Sequence, residues 1–192
     1  MGNAQLKPME LADFLAWEDR QDLRHEFDGV QAFAMTGGTG AHAAIQRRLL
    51  AELDGKLDGK PCQPFGSELK IQTLAGIRYP DAFVVCAPVA PSATVVTDPV
   101  VIFEILSEST ANKDLGVKKA EYQAMPSVQR YIVLQQTHRA AEVFYRSADV
   151  ADGWGGAFLA GAGAVIDMPE IGVSIALDDV YRNIVLESDL VA

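Results

Sequence analysis

Apolar positions along this chain fall into two spacings, and the switches between them mark the elements. Met9, Leu11, Phe14, Leu15 and Trp17 recur at helical spacing, with Pro8 suited to the first turn. Residues 24–27 and 30–35 flank Asp28-Gly29, a two-residue turn signal that predicts a β-hairpin. Gly37-Gly38-Thr39-Gly40 breaks the pattern. Ile45, Leu49, Leu50 and Leu53 then predict a helix from about residue 41, ended by Gly55 and Gly59, and residues 61–64 read as a loop.

Three strands are predicted next, at 68–74, 78–86 and 100–106, the first two joined through Ala75-Gly76 as an antiparallel pair. Pro88 and Pro91 open a loop that runs to Pro99. Asn112 is placed to cap a helix that runs to Met125 and is stopped by Pro126. Residues 130–135 then form an apolar strand, reached through a crossover helix as a parallel neighbour requires. Short strands follow at 142–146, 157–160 and 173–176. This order predicts an α/β architecture, a mixed sheet with helices packed on it. No linker suggests a second domain, so residues 1–192 read as one: helix and hairpin at 8–36, core at 40–146, and a C-terminal β extension at 150–192.

One residue does not fit its pattern. Glu104 lies inside Val100-Val101-Ile102-Phe103-Glu104-Ile105-Leu106, a strand apolar on both faces. A buried carboxylate needs a partner, a metal or a shifted pKa. Asp81, at the start of another apolar strand, and Lys118, on the following helix, are the candidate partners. Two carboxylates on adjacent strands suit a hard cation such as Mg2+; the alternative is that Asp81 caps a strand while Glu104 pairs with Lys118. Asp114, Lys118 and Tyr122 recur every four residues, drifting only about 40° per step around a helix, so they share one polar stripe.

Composition narrows the classes. The balance of 26 acidic against 16 basic residues gives a formal charge of −10, which argues against broad electrostatic attraction to nucleic acid but leaves room for a small basic surface. No apolar stretch approaches the roughly 20 residues that cross a membrane, and the first ten residues lack the charged and apolar blocks of a signal peptide. Cys62 and Cys86 lack metal-ligand spacing and are expected to be free thiols in a cytoplasmic protein. Gly38-x-Gly40-x-x-Ala43 resembles a dinucleotide-binding string, but the strand before it belongs to a hairpin, no parallel strand follows, and Lys60 stands where a ribose-binding acid is needed. Those glycines read as a turn. His42, in the first turn of the long helix, reads from its position alone as a surface or capping residue, and Glu26 as a hairpin carboxylate.

Taken in order, Glu26-Phe27-Asp28-Gly29, His42, Arg78-Tyr79-Pro80-Asp81, residues 99–106 with Ser107-Glu108-Ser109-Thr110, Asp114-x-x-x-Lys118-x-x-x-Tyr122 and residues 126–133 resemble the Uma2 (DUF820) family over roughly 26–145. That resemblance implies a PD-(D/E)xK, restriction-endonuclease-like fold and a metal-dependent endonuclease acting on nucleic acid, DNA above all. It implies that Asp81, Glu104 and the carbonyl of Ile105 bind Mg2+ or Mn2+. Lys118 replaces the lysine that the superfamily places two residues after the glutamate, where this chain has Leu106; Lys113 is the second choice. His42 and Glu26 become substrate-contacting or supporting groups beside Asp114 and Tyr122. The chain departs from the family at Leu134-Gln135-Gln136, where an aspartate is usual. A catalytically silent binding domain of the same fold is therefore the alternative. A homodimer is expected, with the apolar residues 184–186 and 190–191 compatible with its interface.

Overall fold

The computed structural model describes residues 9–35, 37–106, 113–186 and 189, and the side chains of these except at 113 and 114. Its centre is a six-stranded mixed sheet, ordered β11-β10-β9-β8-β6-β3. The strands are β3 (Gln63–Gly66), β6 (Ala82–Val85), β8 (Val101–Leu106), β9 (Arg130–Gln135), β10 (Ala140–Arg146) and β11 (Trp154–Ala160). β8 and β9 run parallel in continuous register from Val101↔Arg130 to Leu106↔Gln135, as the crossover helix between them demands. The other pairs in this sheet are antiparallel.

Both faces of the sheet are covered, which is why β8 is buried almost end to end. On one face, Val101, Phe103 and Ile105 pack against α2 (Gly40–Leu57), the hairpin of β12 (Val165–Met168) and β13 (Val173–Ala176), and α4 (Leu177–Val180). Leu186 is buried in this same core. On the other face, Phe83, Val85 and Ile102 pack against Tyr122 and Met125, from and just beyond α3 (Lys119–Ala124). A second sheet, ordered β2-β1-β5-β4-β7, comprises β1 (His25–Phe27), β2 (Ala32–Ala34), β4 (Lys70–Gln72), β5 (Ile77–Arg78) and β7 (Val95–Val96). Phe14 of α1 (Leu11–Glu18) packs on Phe27, Ile77 and Tyr79 at this sheet.

Several expectations need correction. The hairpin turn spans four residues, because β1 closes on Phe27↔Ala32; Asp28 Oδ1 accepts from Val30 N and Gln31 N inside it. The segment 61–64 contributes to β3, where Pro64 is tolerated because β3 is an edge strand. The strand expected at 78–86 is two strands in two sheets, broken at Tyr79-Pro80-Asp81, where Pro80 has no N–H to continue a ladder. The helix expected over 112–125 begins as a π-helical turn, Lys113–Lys118, that runs into α3. Cys62 and Cys86 are not free: they form a disulfide, set opposite one another by the register that pairs Gln63 with Val85. The roles assigned to Pro8, Asn112, residues 107–110 and residues 190–191 lie outside the described residues.

Candidate functional site

The site forms at the edge where β6 begins and β8 ends. β6 pairs with β8 through Ala82↔Phe103; carried one step further, that register sets Asp81 opposite Glu104. The Asp81 carboxylate is tied to β8 directly, since Ile105 N–H donates to its Oδ2 at 2.7 Å. Helix α2 holds Asp81 from the other side. His42 Nε2 lies 3.2 Å from Oδ2, and Gln46 Nε2 donates to the Asp81 carbonyl at 2.9 Å. His42 and Gln46 are four residues apart, so one helix face supplies both contacts.

The helix start is built for this. Thr39 is the N-cap, accepting from His42 N through Oγ1 at 3.2 Å and donating to Gln136 Oε1 at 2.8 Å. Gly38 lets the imidazole sit against the chain, because a Cβ there would stand 3.0 Å from both Cγ and Nδ1 of His42. The glycine string is thus a seat for His42, and Gln136 is a brace for the cap.

Glu104 is held from the opposite face of the sheet. Its Oε1 accepts from Lys118 Nζ at 3.0 Å and from Tyr122 OH at 2.9 Å. Only 4 % of Glu104 and 7 % of Lys118 is exposed, so these contacts are what makes a carboxylate tolerable there. Burial, and then the Glu104 charge, push the Tyr122 hydroxyl well above its ordinary value, so it stays a donor. The ring of Tyr122 is fixed edge-on to Tyr131 at 5.1 Å.

Lys118 also lies 3.1 Å from Glu26 Oε1, and Glu26 in turn accepts from Arg78 Nη1 and Tyr79 N, each at 3.4 Å. Arg78 grips Glu121 with two bonds, Nε to Oε2 at 2.8 Å and Nη2 to Oε1 at 2.6 Å. Burial disfavours the Arg78 cation, but the Glu121 carboxylate outweighs it and holds the guanidinium above its usual value. A separate buried cluster lies behind this one. Glu18 accepts from Lys70 Nζ and Tyr79 OH, each at 2.6 Å. Burial pushes the Glu18 carboxyl up, but these hydrogen bonds and the Lys70 charge outweigh it and hold it below its ordinary value.

Of the residues singled out from sequence, Asp81, Ile105 and His42 form one group, and Glu104, Lys118, Tyr122 and Glu26 form another across the β6–β8 register. Ile105 meets Asp81 through its N–H. Asp114 has its backbone in the π-helical turn, and its side chain lies outside the described residues. Glu121 and Gln46 carry no signal in the sequence, and Arg78 enters there as part of the Arg78-Tyr79-Pro80-Asp81 motif without a role of its own. Arg78 and Glu121 are 43 positions apart, and no local spacing joins them.

The donor set suits a hard cation. Among the described residues, three carboxylates (Glu26, Glu104, Glu121) share two cations (Lys118, Arg78), and Asp81 stands one register step beyond the Ala82↔Phe103 pair, across from Glu104. Asp81 Oδ1 accepts no hydrogen bond among those residues, which leaves an oxygen of the kind Mg2+ prefers. No group of three or more His, Cys, Asp or Glu side chains able to hold a metal occurs among the described residues.

The profile of the Uma2 family, described as "Putative restriction endonuclease", matches residues 11–164. The protein slr1290 of Synechocystis, itself uncharacterized, is 33 % identical over 178 residues, covering 90 % of each chain. A second uncharacterized Synechocystis protein, sll1609, is 24 % identical over 76 % of this chain and 85 % of its own. Among solved structures, a "putative nuclease belonging to DUF820" from Anabaena variabilis superposes with a TM-score of 0.76 at 15 % identity, covering 91 % of this chain and 98 % of that one. At that identity the likeness concerns the fold.

Proposed function

This chain belongs to the Uma2 family and has the fold of a nuclease-like relative, and from that premise we propose that it is a metal-dependent endonuclease hydrolysing phosphodiester bonds in nucleic acid. The observation that carries the reading is the register of β6 on β8, which sets Asp81 opposite Glu104 at one end of two central strands, with Lys118 on the second carboxylate. Asp81, Glu104 and the Ile105 carbonyl would hold Mg2+ or Mn2+. A cation bound there supplies Lewis acidity toward a phosphoryl oxygen and makes a water more acidic.

The chain's own groups supply the rest. Lys118, a cation between Glu26 and Glu104, offers positive charge and a hydrogen bond to the phosphate as its charge grows. Tyr122 fixes the orientation of the Glu104 carboxylate, and His42 with Ile105 N–H fixes that of Asp81. DNA is the proposed substrate. With a formal charge of −10, the chain has to engage it through local contacts at the site rather than a broad basic face.

A second reading rests on a specific observation. Lys118 already compensates Glu104, and β9 ends at Gln135 with Gln136 next, where the family has an aspartate, so a silent domain of the same fold would keep this network as structure. Assaying single- and double-stranded DNA and RNA with Mg2+, Mn2+ or neither separates the two. The endonuclease reading expects metal-dependent cleavage that falls by more than 100-fold in Glu104→Gln. Cleavage without metal, or equal cleavage by the variant, would overturn it; calorimetry showing no metal binding that depends on Asp81 and Glu104 would favour the silent domain.

A further inference from the structure

Arg78 is a buried, heavily paired charge outside the proposed ligand set. Its side chain is 4 % exposed, it spends three donors on two carboxylates, and it lies three positions before Asp81. One of those carboxylates, Glu121, sits one helical turn beyond Lys118 on the same helix. The other, Glu26, is itself a partner of Lys118. Between Arg78 and Asp81 the backbone has little freedom: Tyr79 N–H is committed to Glu26, and Pro80 has its φ fixed by the ring. The charges therefore alternate in one chain of contacts, Glu121, Arg78, Glu26, Lys118, Glu104, that ends at one proposed metal carboxylate and passes through Arg78, three residues before the other.

Resting on the endonuclease reading, we propose that Arg78 is a positioning residue for Lys118: its fork on Glu121 locks the helix carrying the lysine to the segment carrying Asp81. A planar guanidinium can do this where an ammonium cannot, because two parallel bonds fix orientation as well as distance. Lys118 then meets the phosphate from a set direction, and a displacement of about 1 Å there costs on the order of 100-fold in rate. Holding the lysine does not require Arg78 to touch substrate or metal.

Arg78→Lys keeps the charge and removes the fork; Glu121→Gln removes the other half and serves if the first variant does not fold. Each is expected to lower kcat by about 100-fold with KM and calorimetric Mn2+ affinity within a few-fold of wild type. The double variant is expected to be no worse than either single one, since both remove the same lock. A second readout needs no catalysis: acetylation of Lys118 by an N-hydroxysuccinimide ester, followed by peptide mass spectrometry well below Tm, should quicken several-fold in each folded variant. Unchanged kcat and unchanged acetylation would overturn the proposal, as would losses that add independently in the double variant or that track Mn2+ affinity. If the wild-type protein cleaves nothing, the endonuclease reading fails, and the acetylation rates still decide whether Arg78 positions Lys118.

Discussion

Glu104 could be recognised from sequence because a charge inside a seven-residue apolar run has no local excuse, and Lys118 was within reach on the next helix. The pairing of Arg78 with Glu121 could not, because no local spacing joins them until the fold brings them together across 43 positions. The same holds for Lys70, whose side chain is 5 % exposed and paired with an equally buried Glu18 52 positions away. Lys70→Met should destabilise the protein by about 3 kcal/mol, measured by urea unfolding, because it strands a buried carboxylate. The pH dependence has a definite sign. Glu18 titrates below the ordinary 4.5 in the folded protein, so its stabilisation is complete above that value and is lost as pH falls through the depressed folded pKa. The stability gap between wild type and Glu18→Gln should accordingly be constant near neutral pH and narrow below about pH 4.5; a gap that widens in acid would refute the assignment.

Among the elements, α2 was legible from its helical period and β8, β9 and β13 from short apolar runs, and all four fall close to where the sequence predicts them. The errors have local causes. Pro64 hid β3 because a proline argues against a strand unless that strand is known to be an edge. Two strands in succession, β5 and β6, looked like one because nothing in 78–86 signals which sheet each half joins. At the start of α2 the glycines look like a plain turn in the sequence, His42 gains a role there only through the family resemblance, and the close approach of Gly38 to the imidazole is what gives that glycine a purpose. That approach is testable with neighbouring glycines. Gly38→Ala should push the His42 ring off Asp81 and lower metal-dependent cleavage by about tenfold or more, whereas Gly37→Ala, whose Cβ would meet nothing within 4 Å, should leave it unchanged. Equal effects from both substitutions would mean that the loop, rather than the seat for the ring, is what matters.

At the scale of the whole molecule, element order predicted the mixed sheet but could not divide the strands between two sheets, since pairing over long sequence separations leaves no periodic trace. The disulfide was missed for a related reason: sequence spacing says nothing about two cysteines until β3 and β6 are known to be neighbours. Its place makes a prediction that separates stability from function. Cys62 and Cys86 are 24 positions apart, and closing a loop of that size restricts the unfolded chain by about 3 kcal/mol. In a chain of 192 residues each kcal/mol moves Tm by roughly 2–4 °C, so Cys62→Ser/Cys86→Ser should melt about 6–12 °C lower. Cys86 follows the last residue of β6 and Asp81 precedes the first, which puts about 16 Å of extended strand between bond and site. The double variant should therefore bind Mn2+ and cleave like wild type at temperatures well below its Tm. Loss of metal binding in a variant still folded by circular dichroism would show instead that the bond sets the register of β6 against β8, and with it the spacing of Asp81 and Glu104.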